Sequence, residues 1–100
     1  MAVRVPPFTL RAAIFAQLVS VVSKIAGVQP QVTSWYRTPD ENAAVGGKPN
    51  SLHLVGEAID LVFGSSVEAA RVQNIWRTIG LDAVDEADHL HLELDGPLLR

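Results

Sequence analysis

Apolar and polar positions along this chain repeat with two periods. Leu10, Ile14, Leu18, Val22 and Ile25 recur every three or four residues, the spacing of one helical face. Thr9 stands where an N-cap hydroxyl is needed, and Gly27 where the helix must stop. Residues 31–36 alternate and are β-prone, which predicts a strand. Residues 37–50 are rich in Pro, Gly and Asn and read as a loop, with a helical turn at 40–44. Residues 58–63 form a second expected strand. Ser65 and Glu68 have the spacing of a capping box for a helix through Ile79. Val72, Ile75, Trp76 and Ile79 give that helix a buried stripe, and Gly80 ends it. A short strand at 82–84 and an alternating one at 89–94 complete the pattern. The expected fold class is α+β: two main helices packed on a small antiparallel sheet.

Composition narrows the function classes. One hundred residues make one domain, and 48% hydrophobic with 19% charged residues supports a core rather than disorder. The absence of cysteine excludes a disulfide scaffold and a thiolate metal site. Eight basic against eleven acidic residues, with no Lys/Arg cluster, argue against a nucleic-acid partner. Arg11, Gln17, Ser20, Ser23 and Lys24 interrupt the apolar stretch 10–26, so no membrane span is expected. The start Met1-Ala2-Val3-Arg4 is weakly basic, but Pro6-Pro7 follow and no small-residue cleavage site does. No export signal is read there, and synthesis in the cytoplasm is expected. The sequence leaves the oligomeric state open and is compatible with a monomer.

All three histidines lie in two short segments: His53 within Ser51-Leu52-His53-Leu54-Val55-Gly56-Glu57-Ala58-Ile59-Asp60, and the pair in Asp88-His89-Leu90-His91. Two imidazoles and a carboxylate make the ligand set of a catalytic zinc site, with the fourth tetrahedral position left for water. On a strand, His89 and His91 share one face while Leu90 and Leu92 point into the opposite layer. Asp60 lies on a strand able to pair beside this one, and Gly56 permits a tight turn between it and His53. Asp88 sits at the strand's edge, from where it can turn toward the same site. Asp85, Glu86 and Glu93 crowd the same segment. The bland alternatives are two histidines on a half-buried strand, a solvated acidic loop, and an Arg37 that pairs with Asp40 or Glu41 on the surface. Ser51 is expected to hold the loop by hydrogen bonding, and Trp35 and Trp76 to belong to the core.

The joint pattern Ser51-x-His53-x-x-Gly56-x-Ala58-x-Asp60 with His89-x-His91 resembles the zinc D-alanyl-D-alanine carboxypeptidases and L-alanyl-D-glutamate endopeptidases. Phage endolysins and vancomycin-resistance D,D-peptidases belong to that family, and hedgehog domains share its fold. Tyr36-Arg37-Thr38-Pro39 and Asn42-x-x-Val45-Gly46-Gly47 match its upstream segment. The resemblance implies zinc on His53, Asp60 and His91, a general base at Asp88, assistance from His89, and Arg37 on the substrate's carbonyl or carboxylate. It also implies a peptidoglycan stem peptide as substrate, cleaved as a carboxypeptidase or an endopeptidase would. The expected place of action is the cell wall, reached after release or as part of a phage particle. The alternative is a zinc-binding or metal-free module of the same fold without turnover, such as a phage particle component.

Overall fold

The computed structural model describes residues 3–7 and 9–100. The leader reading falls partly on residues 1 and 2, outside the described residues. Helix α1 (Leu10–Ala26) starts where Thr9 Oγ1 accepts a hydrogen bond from the Ala12 amide at 3.0 Å. It ends at Gly27, whose φ of 71° suits a residue without Cβ. The buried face is not the expected one. Ala12, Phe15, Val19, Val22 and Ser23 are buried, whereas Leu10, Ile14 and Ile25 are exposed at 72%, 51% and 69%. At about 100° per residue the two sets are centred roughly 110° apart and share Val22. The helix is apolar on both, and its largest side chain decides. Phe15 meets Trp76 edge-on with ring centroids 5.7 Å apart.

Strands β1 (Gln31–Ser34), β2 (Ala58–Val62), β3 (Ala83–Asp85) and β4 (Leu90–Glu93) form one antiparallel sheet in the order β1-β2-β4-β3. Strand β1 stops two residues short of the expected end. A register irregularity between Val32 and Ser34 bends it. Beyond it the Tyr36 amide bonds to the Arg4 carbonyl and the Arg37 amide to the His53 carbonyl, so neither joins the sheet. Helix α2 (Pro39–Ala44) is the predicted helical turn, closed by a full capping box between Thr38 and Glu41. Helix α3 (Ser66–Thr78) keeps half of its expected box. Ser65 Oγ accepts from the Glu68 amide, but among the described residues no bond returns from the Glu68 side chain.

In α3, Val72 and Trp76 are fully buried, Ile75 is partly buried, and Ile79 lies at the exposed end of the stripe. One core joins Phe15, Val19 and Val22 of α1, Val72 and Trp76 of α3, and Leu61, Leu90 and Leu92 of the sheet. Strand β4 alternates as expected, Leu90 and Leu92 buried and His91 and Glu93 partly exposed. Both helices therefore cover one face of the sheet, and Asp60, His91 and Glu93 lie on the other. No helix among the described residues is long and apolar enough to cross a membrane.

Candidate metal centre

The two central strands put Asp60 and His91 directly opposite each other. Residues so paired point the same way, which brings both side chains to the polar face. His53 arrives from a 3₁₀ turn, Leu52–Val55, capped by Ser51, whose Oγ accepts from the His53 amide at 3.2 Å. Gly56 reverses the chain from this turn into β2. Its φ is 72°, and a Cβ there would lie 2.6 Å from the Pro6 Cβ, so both conformation and space require glycine.

One donor atom each from His53, Asp60 and His91 lies within 4.8 Å of the others. Asp60 Oδ1 is 2.9 Å from His91 Nδ1 and 3.3 Å from His53 Nε2. Ligands about 2.0–2.1 Å from one tetrahedral ion are about 3.4 Å apart, so these separations are close to those of a bound cation. The ring tautomers agree. His53 Nδ1 lies 2.6 Å from the Trp35 carbonyl, which only accepts, so Nδ1 carries the proton. The other nitrogen, Nε2, is buried and makes no hydrogen bond, although Asp60 lies near it. A buried nitrogen lone pair without a partner is costly in a protein and is what a metal ion would satisfy. In His91 the outer nitrogen, Nε2, is 2.8 Å from Glu93 Oε1, leaving Nδ1 toward Asp60. Both rings thus have their outer N–H held by an oxygen, an arrangement that fixes metal-ligating imidazoles. The donor set of two nitrogens and one oxygen fits a metal ion.

Arg37 lies against this site. Its Nη2 donates to Asp60 Oδ2 at 3.1 Å, Nε to Ser34 Oγ at 3.2 Å, and Nη1 to Asn42 Oδ1 at 3.4 Å. It does not pair with Glu41, which binds Arg4. Buried Asn42 also donates to the Lys48 carbonyl, so it ties Arg37 to the 46–50 loop. Burial alone would push the Asp60 carboxyl up. The adjoining His53 and His91 rings outweigh it and hold the acid below the usual carboxylate range. Burial lowers His91, but its bonds to Asp60 and Glu93 raise it more, so the net shift is upward.

His89 immediately precedes β4, with Nε2 3.7 Å from Asp60 Oδ1. Asp88 does not turn toward the three ligand atoms. It bonds to His89 Nδ1 at 2.6 Å and is otherwise 88% exposed. The acid that faces the site from this hairpin is Glu86, 3.7 Å from His89 Nε2 and 4.0 Å from His91 Nδ1. A cavity of about 210 Å³ opens beside His89, lined by Phe63, Ser66, Ala69, Gln73 and Asp88 among others.

Sequence reasoning gave no part to the Trp35 carbonyl and counted Glu86 and Glu93 only among the acids that crowd Asp88. For Glu93 a signal existed: residues 89, 91 and 93 share parity, so the acid falls on the histidines' face. The Trp35 carbonyl and Glu86 depend on a strand end and a turn conformation that periodicity does not encode. The family model for peptidase M15 matches residues 7–93. No curated protein and no solved structure matches the chain.

Proposed function

Because the chain belongs to the peptidase M15 family, we propose that it is a zinc-dependent peptidase of peptidoglycan stem peptides. The observation that carries this reading is the buried, unpartnered His53 Nε2 beside Asp60 and His91. In this reading His53 Nε2, Asp60 Oδ1 and His91 Nδ1 hold the ion. Zinc supplies Lewis acidity and a water acidified to near neutral pH. The chain's own residues do the rest. Trp35 and Glu93 fix the two rings, and Arg37 holds the second Asp60 oxygen, so the ligands are set before metal binds. His89 Nε2 faces the same space, and with Nδ1–H held by Asp88 the imidazolium form would present an Nε2–H to negative charge developing on a substrate carbonyl. The cavity beside His89, about 210 Å³, gives a substrate side chain somewhere to lie. The bond cleaved is a D-Ala-D-Ala or an L-Ala-D-Glu amide, reached at the cell wall after release or from a phage particle.

Digestion of purified peptidoglycan by the zinc-loaded protein, with mass analysis of the new termini, tests this. The expected result is one class of new amine, absent with His91→Ala. Zinc uptake without any new terminus would leave a binding module, and no zinc uptake would end the reading altogether.

A further inference from the structure

We infer that Asn42 is a positioning residue for Arg37, and that through it the 46–50 loop helps to aim the guanidinium at substrate. This rests on the peptidase reading above. The first observation is where Asn42 lies. It is the one buried residue of helix α2, 3% exposed, while the other side chains of that six-residue helix are exposed or half-buried. A short surface helix is ordinarily anchored by an apolar side chain. Here the anchor is an amide, and a buried amide is costly unless its oxygen and its nitrogen both find partners.

Both do, and the two partners differ in kind. Arg37 Nη1, which can only donate, gives a hydrogen bond to Asn42 Oδ1 at 3.4 Å. The Lys48 carbonyl, which can only accept, takes one from Asn42 Nδ2 at 2.8 Å. A carboxylate could not donate to Lys48, and an aliphatic side chain could serve neither. The same Lys48 carbonyl accepts from the Ser51 amide at 3.0 Å, and Ser51 caps the turn that carries His53. Asn42 therefore joins Arg37 to the opposite flank of the site. The loop is folded around it. The Gly47 amide bonds to the Asn42 carbonyl at 2.8 Å, and a Cβ at Gly47 would strike Oδ1 and lie 2.6 Å from Cγ of Asn42. Gly47 is not left-handed, so this close approach alone requires glycine.

For Arg37 the consequence is a guanidinium held at every nitrogen. Ser34 Oγ takes Nε–H, Asp60 Oδ2 takes a hydrogen of Nη2, and Asn42 Oδ1 one of Nη1. Held at two nitrogens, the plane could rock about the line between them, and the third hold stops it. Among the described residues, an N–H on each Nη is left without a protein partner, and the side chain is 20% exposed. Those are the donors a substrate oxygen would meet, and their direction follows from the plane. Because Asn42 is neutral, it fixes the plane without cancelling the charge Arg37 offers.

The test uses Asn42→Ala, Gly47→Ala and their double variant, first by nitrogen NMR of the Arg37 side chain without zinc or substrate. Asn42→Ala should free rotation at Nη1 and average its proton signals, which wild type keeps distinct. Gly47→Ala, which touches Asn42 and not Arg37, should do the same and lower the melting temperature. Added to Asn42→Ala, it should lower melting no further, since the amide it strikes is gone. In zinc-loaded protein Asn42→Ala should bind zinc within about tenfold of wild type, because it removes no proposed ligand's direct partner. It should lower muropeptide kcat/KM by about tenfold, the worth of one hydrogen bond to a charged group. In an Arg37→Ala background the same change should cost nothing more. Unchanged Arg37 signals in both single variants would overturn the inference, and so would Asn42→Ala and Arg37→Ala losses that simply multiply. Should Asn42→Ala not fold, Gly47→Ala decides by the Arg37 signals alone. If the NMR pattern holds and no stem peptide is cleaved by the zinc-loaded wild type, the peptidase reading ends while the hold of Asn42 on Arg37 stands.

Discussion

At Asp60 the two carboxylate oxygens face different partners. Oδ1 lies among the imidazole nitrogens, and Oδ2 accepts from Arg37. Arg37 therefore orients a proposed ligand as well as flanking the substrate space. Arg37→Ala should weaken zinc by about 10–100-fold, the usual effect of removing a ligand's orienting partner. Arg37→Lys should recover part of it, because it restores the charge without the fork. A chelator-competition titration reads this directly, and unchanged affinity in Arg37→Ala would limit the residue to substrate. Protons give a second check. Asp60 is lowered, so its contribution to stability is present above its unfolded pKa of about 4 and is lost as pH falls through the folded value. His91 is raised, so its contribution is complete below about 6.5 and is lost as pH rises through its folded value. Metal-free protein should therefore resist urea better at pH 5 than at pH 8. Zinc affinity should run the other way, falling from pH 8 to pH 5, because Nδ1 of His91 must release its proton to bind metal. Equal stability of the metal-free protein at the two pH values would remove the Asp60–His91 pair as a titrating unit.

Among the elements, the 3₁₀ turn Leu52–Val55 does most to place a proposed ligand, His53, and it depends on Gly56. Gly56→Ala would put a side chain at positive φ, at a cost of about 1–3 kcal/mol. It would also drive a Cβ against Pro6. At about 4–8 °C per kcal/mol for a domain of this size, the melting temperature should fall by at least about 4 °C. Zinc affinity should fall with it, because the same turn carries His53. Calorimetry with a parallel zinc titration decides, and a variant with wild-type melting and affinity would mean that the turn is not constrained. This turn is legible in the sequence, since Gly56 stands at the required step between His53 and Asp60. So are the caps Thr9 and Ser65, the stop at Gly27, and the alternation of β4, because each is a local rule with a local residue. The inward face of α1 is not. Two adjacent apolar stripes satisfy helical spacing equally, and only packing of Phe15 on Trp76 chooses between them. The direction of Asp88 is not legible either, because it follows from left-handed Ala87, where a residue with a Cβ is not expected.

For the molecule as a whole, the site and the core share two strands. In β2, Asp60 faces the ligand cluster while its neighbours Ile59 and Leu61 are buried in the core. In β4, His91 and Glu93 alternate with buried Leu90 and Leu92. The core also reaches Glu93 directly, since Trp76 Nε1 donates to its carbonyl at 3.1 Å. Loss of core packing must separate proposed ligands that lie 31 residues apart along the chain, Asp60 from His91. An unfolded chain then offers no comparable site, and zinc binding should add its free energy to folding. With zinc at about 100 times its Kd the gain is about 2.7 kcal/mol. At about 4–8 °C per kcal/mol, that raises melting by roughly 11–22 °C. The rise should vanish in His53→Ala, which removes the unpartnered Nε2, and persist in Asp88→Asn, whose side chain is mostly in solvent. Thermal melts of the three proteins with and without zinc separate the cases. A wild-type rise that His53→Ala retained would place the ion somewhere other than between His53, Asp60 and His91.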